Sequence, residues 1–248
     1  VTLPMVSADE QQELLTQTLA GIRSVLDEQG AELIGGHTME SRSASPLPTS
    51  LGVQIALTVN GNSTASPWLK SGLLPGDALL ISRPLGTGVL FAGAMSGATK
   101  APDLDAALKS MLTSQHMLLK QLEPVQGDVH ACTDITGFGL LGHLGEMLQN
   151  SPELTVQLNS SAIPSYTGAL ELFKNGVSST LSPSNRSAWR LLDGPVQLTN
   201  SPTSGLLELL IDPQTCGPLL VSFPKAVAQA LVKEGPWKQI GFVKHSHG

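Results

Sequence analysis

Residues 131–148 read ACTDITGFGLLGHLGEML, a lone aspartate followed by four glycines and a run of leucines. Two chemistries compete for this stretch. In one, Gly137, Gly139 and Gly142 form a G-x-G-x-x-G turn that carries a dinucleotide pyrophosphate on a helix N-terminus. Against it stand the polar Asp134 and Thr136 ahead of the first glycine, and a next apolar run, LTVQLN, that ends in Asn159 rather than a ribose-binding carboxylate. In the other, Asp134 lies at the carboxyl end of a strand as a ligand to Mg2+, and the glycines let phosphate oxygens approach the backbone. Mg2+ takes one or two carboxylates together with substrate phosphates, and no convincing second carboxylate is found nearby. A purely structural part, with Asp134 capping the helix, stays open on these residues alone. His130, Cys132 and Asp134 alternate on one strand face, but without a fourth ligand at ordinary spacing they read as two strand residues and one functional aspartate. His143 reads as a packed or capping histidine.

Three further glycine turns resemble this one in outline. IGGHTME places Gly35, Gly36 and His37 after an apolar run, where a phosphate or another backbone strand can come close; a plain tight turn fits equally well. RPLGTG puts Gly86, Thr87 and Gly88 at a helix start, with Thr87 as the expected cap. DPQTCGPLL is a third turn, with Asp212 as its turn-former. There is no HExxH zinc motif, no GxSxG elbow and no P-loop, so several such turns together point to phosphate handling by backbone and metal.

The elements that must position these turns follow from periodicity. Ser7 and Glu10 form a capping box for an amphipathic helix over 7–29, stopped by Gly30. Strands are expected at 31–36 and 51–61, on either side of the Ser/Pro-rich 41–50. A junction near residue 66 separates a first domain, 1–66, from a second, 67–248. The second domain reads strand 78–82, turn, helix, a helix over 103–122, strand 128–134, turn, and helix 138–149. Further strands are expected at 154–158, 206–211, 218–223 and 239–243, with a helix at 225–234; residues 174–204 read as an irregular excursion pinned by Trp189, Leu191 and Leu192. This is an α+β pattern.

Composition narrows the function class. With 14 Lys+Arg against 20 Asp+Glu and no basic stretch interleaved with aromatics, a nucleic-acid partner is not expected. No apolar run reaches the length of a bilayer span and no signal-peptide pattern opens the chain, so a cytoplasmic location without membrane contact is expected. Cys132 and Cys216, far apart among apolar neighbours, read as reduced, buried core thiols.

Taken in order, IGGHTME, PGDALLISRPLGTGV, ACTDITGFGLLGHLGEM and DPQTCGPLLV resemble the selenophosphate synthetase (selenide, water dikinase) family across most of residues 8–243. That family belongs to an ATP-binding superfamily with aminoimidazole ribonucleotide synthetase, thiamine-monophosphate kinase and a hydrogenase-maturation protein. TDITGFGLLGH is its most specific stretch. The resemblance implies an aminoimidazole ribonucleotide synthetase-like fold, with 1–66 a remnant of an N-terminal ATP-binding and dimerisation domain and 67–248 the C-terminal α+β domain. It implies ATP, selenide and water as substrates, selenophosphate, AMP and phosphate as products, and Mg2+ as the required ion. Asp134 matches the metal ligand of the C-terminal domain, and Gly35, Gly36 and His37 match the segment that contacts ATP across a homodimer interface. The reactive Cys or Sec, the nearby Lys and the Asp-rich strand of the family are not among these 248 residues. No catalytic residue is therefore assigned to this chain, which is expected to be a piece of a longer protein and to turn over ATP negligibly alone. Arg83 stands where the family has lysine, and TCGP replaces its Thr-Ser-Gly-Gly. The competing expectations are a catalytically inactive nucleotide-binding or dimerising module and, from the glycine fingerprint, a dinucleotide oxidoreductase.

Overall fold

A computed structural model describes residues 1–41, 52–62 and 66–246. The chain divides into two compact units, Val1–Ala65 and Ser66–Gly248.

In the first unit, β1 (Thr2–Leu3), α1 (Ala8–Glu28) and β2 (Met39–Glu40) follow one another, with β1 and β2 paired in parallel. The capping box predicted at Ser7 and Glu10 forms: the Ser7 hydroxyl accepts from the Glu10 amide, and Glu10 accepts from the Ser7 amide. None of the α1 side chains is buried. The two strands expected in this unit do not form as read. Residues 31–38 are irregular, and 52–62 contribute only a bridge from Gln54 to Thr2. A strand persists through its ladder partners, and Ile55, Leu57 and Val59 stand exposed without one among the described residues. The expected Ser/Pro-rich stretch lies, from residue 42, outside the described residues.

The second unit is built on β3 (Ala78–Ile81), α2 (Thr87–Met95), α3 (Ala101–Leu112), α4 (His116–Leu122), β4 (Ala131–Asp134), α5 (Gly139–Leu148) and β5 (Leu154–Leu158). There follow α6 (Ala169–Lys174), α7 (Ser182–Asn185), β6 (Val196–Leu198), α8 (Ser204–Ile211), β7 (Leu219–Phe223), α9 (Lys225–Glu234) and β8 (Lys238–His245). Six strands make one mixed sheet in the order β4-β7-β3-β8-β5-β6. All four residues of β3 are buried, because helices cover both faces. Leu79 and Ile81 join a core with Leu90, Leu140, Leu144, Leu209 and Ile240, whereas Ala78 and Leu80 point the other way, to Leu122, Phe223, Leu231 and Trp237. Period-two alternation thus distributes one apolar run between two cores.

Residues 206–211, read as a strand, are the helix α8; Thr203 caps it through the Leu206 amide, and Leu206, Leu209 and Leu210 turn inward at helical spacing. The helix read over 103–122 is two, broken at 113–115, where Gln115 leaves the helical line to accept from the Ser82 hydroxyl and donate to the Gly217 carbonyl. Cys216 is not a core thiol but exposed, in a left-handed backbone conformation at φ 47°, while Cys132 is partly buried; both are free. The excursion over 174–204 is less irregular than read, since it holds α7, a 3-10 turn at Arg186–Asp193 and β6, and Trp189, Leu191 and Leu192 do pack against the core.

Candidate functional site

Both β3 and β4 run antiparallel to β7, with Ile81 opposite Leu220 and Asp134 opposite Leu219. They are therefore parallel to each other, and their carboxyl ends emerge at one edge of the sheet. Each leads through a glycine turn into a helix: RPLG into α2, and ITGF into α5. At such edges open sheets place their ligands.

The first of these helix ends is filled by the chain itself. The Gln214 Oε1 accepts from the Gly86 amide at 2.8 Å and from the Thr87 amide and hydroxyl at 3.2 Å each. Asp212 Oδ2 accepts from the Val89 amide at 3.2 Å and from Gln214 Nε2 at 2.9 Å. Both side chains are buried. Thr87 is thus not the cap expected of it, and Asp212 is not a mere turn-former; residues more than 120 positions away supply the acceptors. Burial pushes the Asp212 carboxyl up to about 7, against the lowering effect of its hydrogen bonds to Val89, Gln214 and Gly88, with Glu208 adding to the rise. An anion has no room to bind at this end.

The second end is open. Asp134 closes β4 with an exposed side chain. Phe138, at the N-cap of α5, is exposed and offers no acceptor to the first turn, and no side-chain oxygen among the described residues takes its place. The Gly139 amide donates to the Thr136 carbonyl at 3.1 Å, but those of Gly137 and Phe138 ahead of it have no partner among the described residues, and unpaired amides at a helix start carry partial positive charge and attract anions. A groove of about 390 Å3 flanks this turn, lined among others by Phe138, Gly142, Gly145 and Arg190.

The open turn is nonetheless rigidly held. Gly139 needs its positive φ of 69°, and a Cβ there would meet the Ile211 backbone at 2.7 Å. The turn also abuts the 212–218 loop: Ile135 donates to the Pro218 carbonyl at 2.9 Å, Gln214 donates to the Thr136 carbonyl at 2.9 Å, and a Cβ on Gly217 would lie 1.8 Å from the Ile135 carbonyl oxygen. Asn185 Nδ2 donates to the carbonyls of Gly137 and Ile211. Arg83 braces the same loop, donating to the carbonyls of Cys216 and Thr113. Behind the turn, the Thr136 amide donates to Nε2 of the buried His143 at 3.0 Å, and His143 Nδ1 lies 2.9 Å from Glu146 Oε2. Lys70 Nζ donates to the same Glu146 oxygen at 2.8 Å. That bond, followed by those of His143, holds the Glu146 carboxyl below its ordinary value despite some burial.

The other predicted residues are dispersed. His130 Nδ1 pairs with Asp77 at 2.9 Å, and Cys132 packs against the second core, its thiol raised to about 11 by burial and then by the Asp134 charge. Among the described residues, no three His, Cys, Asp or Glu side chains gather as ligands to a metal would. Asp134 by itself suits Mg2+ as one oxygen ligand beside phosphates, so the residues present fit a part of such a site and no more. Gly35, Gly36 and His37 belong to the first unit, in an exposed irregular segment where the His37 carbonyl accepts from the Val1 amino group at 2.7 Å. The dinucleotide expectation fails on topology. A dinucleotide fold needs the strand after the helix to lie beside the first one and parallel to it, but β4 is an edge strand whose neighbour, β7, is antiparallel, and β5 is four places away.

"Selenide, water dikinase 2" of Peptoclostridium acidaminophilum is 33% identical over 219 residues, covering 88% of this chain and 58% of that protein. "Selenide, water dikinase" of Desulfitobacterium hafniense is 32% identical over 234 residues, covering 93% of this chain and 64% of its own length. The chain thus spans about three fifths of the length of these relatives. Among solved structures, thiamine monophosphate kinase from Aquifex aeolicus superposes with a TM-score of 0.59 at 15% identity, over 100% of this chain and 69% of that one. The E. coli hydrogenase maturation protein HypE does so at 0.58 and 17%, over 100% and 66%. These two share the α+β fold. The family described as AIR synthase related protein, C-terminal domain, matches residues 75–247, well over half of the chain, and the chain belongs to that family.

Proposed function

We propose that this chain supplies the phosphate-facing part of an enzyme that makes selenophosphate from selenide, ATP and water, releasing AMP and phosphate. One observation carries it: Asp134 is exposed at a strand tip beside an uncapped helix start, in a chain whose relatives are named selenide, water dikinase. Asp134 would give one oxygen to Mg2+, and the turn amides of Gly137 and Phe138, just ahead of α5, would take phosphate oxygens. Mg2+, when bound, neutralises charge on the ATP phosphates. Gly35, Gly36 and His37 contact ATP from the other subunit of a homodimer, the two glycines admitting it and the imidazole donating to a phosphate. The location is the cytoplasm, and no described helix is long and apolar enough to cross a membrane. A single carboxylate holds Mg2+ weakly, so these 248 residues alone turn over ATP negligibly.

The test is 31P NMR detection of selenophosphate from ATP, selenide and Mg2+, using the longest natural form of the protein. Asp134→Asn is expected to lower the rate by about a hundredfold or more, with an unchanged melting temperature. Selenophosphate formation at the unaltered rate in that variant overturns the reading. The lone carboxylate also favours a second reading, a module that binds nucleotide without turnover; ATP binding by the longest form without any selenophosphate would establish it.

A further inference from the structure

We propose that His143 is a positioning residue for the Asp134 turn, fixed as the Nδ1-protonated neutral tautomer between the Thr136 amide and Glu146. The tautomer follows from which groups can donate. A backbone N–H only donates, and that of Thr136 reaches Nε2 at 3.0 Å, so Nε2 presents its lone pair. A carboxylate only accepts, and Glu146 Oε2 lies 2.9 Å from Nδ1, so Nδ1 carries the hydrogen. Lys70, 2.8 Å from that same oxygen, keeps Glu146 anionic at the far end. His143 is 3% exposed, which leaves little water to compete for Nε2.

Thr136 is held through both of its flanking peptide groups. Its amide is taken by His143, and its carbonyl accepts from the amides of Gln214 at 2.9 Å and Gly139 at 3.1 Å. Two residues before it stands Asp134, and directly after it come Gly137 and Phe138, which lead into α5. The imidazole therefore sets the spacing between the carboxylate and the open amides while touching neither. Its bearing on metal and nucleotide rests on the function proposed above; its tautomer and its hold on Thr136 do not.

Long-range 1H–15N NMR of the 248-residue chain, labelled at histidine, reads the tautomer directly. The expected result is a protonated Nδ1 and a bare Nε2 for His143; a protonated Nε2 at neutral pH overturns the inference. Hydrogen exchange at the Thr136 amide is expected to speed up about tenfold in His143→Leu, which has no acceptor, and to return most of the way in His143→Gln, whose Oε1 reaches a similar point. Equal exchange in the wild type and His143→Leu overturns it as well. In the longest natural form, Mn2+·ATP affinity by electron paramagnetic resonance is expected to fall about tenfold in His143→Leu and to recover in His143→Gln. If Asp134→Asn leaves that affinity unchanged, the metal reading fails, whereas the tautomer and exchange results judge His143 separately.

Discussion

Two helix starts stand at the same sheet edge, and the chain treats them in opposite ways. At α2, Gln214 and Asp212 take the amides of Gly86, Thr87 and Val89, and the end is dry and closed. At α5 no side chain among the described residues takes that place, and the carboxylate of Asp134, at the tip of β4, faces solvent. Both follow a strand of the sheet, both turn on glycines, and both satisfy the outline of an anion site. A glycine turn before a helix is thus not a binding site until one asks what already occupies it. The closed end stabilises the fold, and the open one is free for function.

The contrast can be broken most severely at Gln214. Gln214→Ala strips the acceptor from three buried donors around Gly86 and Thr87. A loss of roughly 3 kcal/mol in urea unfolding is expected, since each stranded buried donor costs about 1–3 kcal/mol and water re-enters in part. Asp212→Asn should act next, and it sharpens the contrast through pH. Because the folded carboxyl is raised to about 7, its proton uptake stabilises the fold fully below the unfolded value and that contribution disappears as pH rises toward and through 7. The wild type should therefore lose stability from about pH 4 to about pH 7, and Asp212→Asn should flatten this slope in thermal melts. An unchanged slope would remove Asp212 as its source. The smallest effect is chemical. At pH 8 iodoacetamide is expected to alkylate exposed Cys216 readily and to spare Cys132, whose raised thiol stays protonated, as peptide mass mapping reads.

Much of this layout was legible in the residues. Alternation marked the strands β4, β5, β7 and β8, and the Ser7–Glu10 spacing marked a helix start that forms as read. Asp134 was legible as the residue where an apolar strand turns polar before glycines. The closed end was not, because Gln214 and the Gly86 turn lie 128 residues apart and only the sheet brings them together. Gly-rich RPLGTG and DPQTCGPLL each read as an independent turn, whereas they form one structure. His143 and Glu146 stand three apart on α5, a spacing at which helical side chains meet, and that was the available signal for their pairing. Residues 206–211 misled because six apolar-rich residues fit a buried strand and a buried helix equally well until packing against α5 and α6 decides. The apolar residues of the strand expected at 51–61 misled differently: strand propensity without a partner among the described residues gives no ladder there.

The open and closed ends can be compared in one experiment. Mn2+·ATP added to the 15N-labelled chain relaxes amides near the paramagnetic ion, even when binding is weak. Signals of Gly137, Phe138 and Gly139 are expected to broaden first while those of Gly86, Thr87 and Gly88 keep their intensity, and Asp134→Asn should abolish the effect. Broadening centred on Gly86–Gly88, or broadening around Gly137 that persists in Asp134→Asn, would contradict the assignment of the metal and phosphate to the tip of β4.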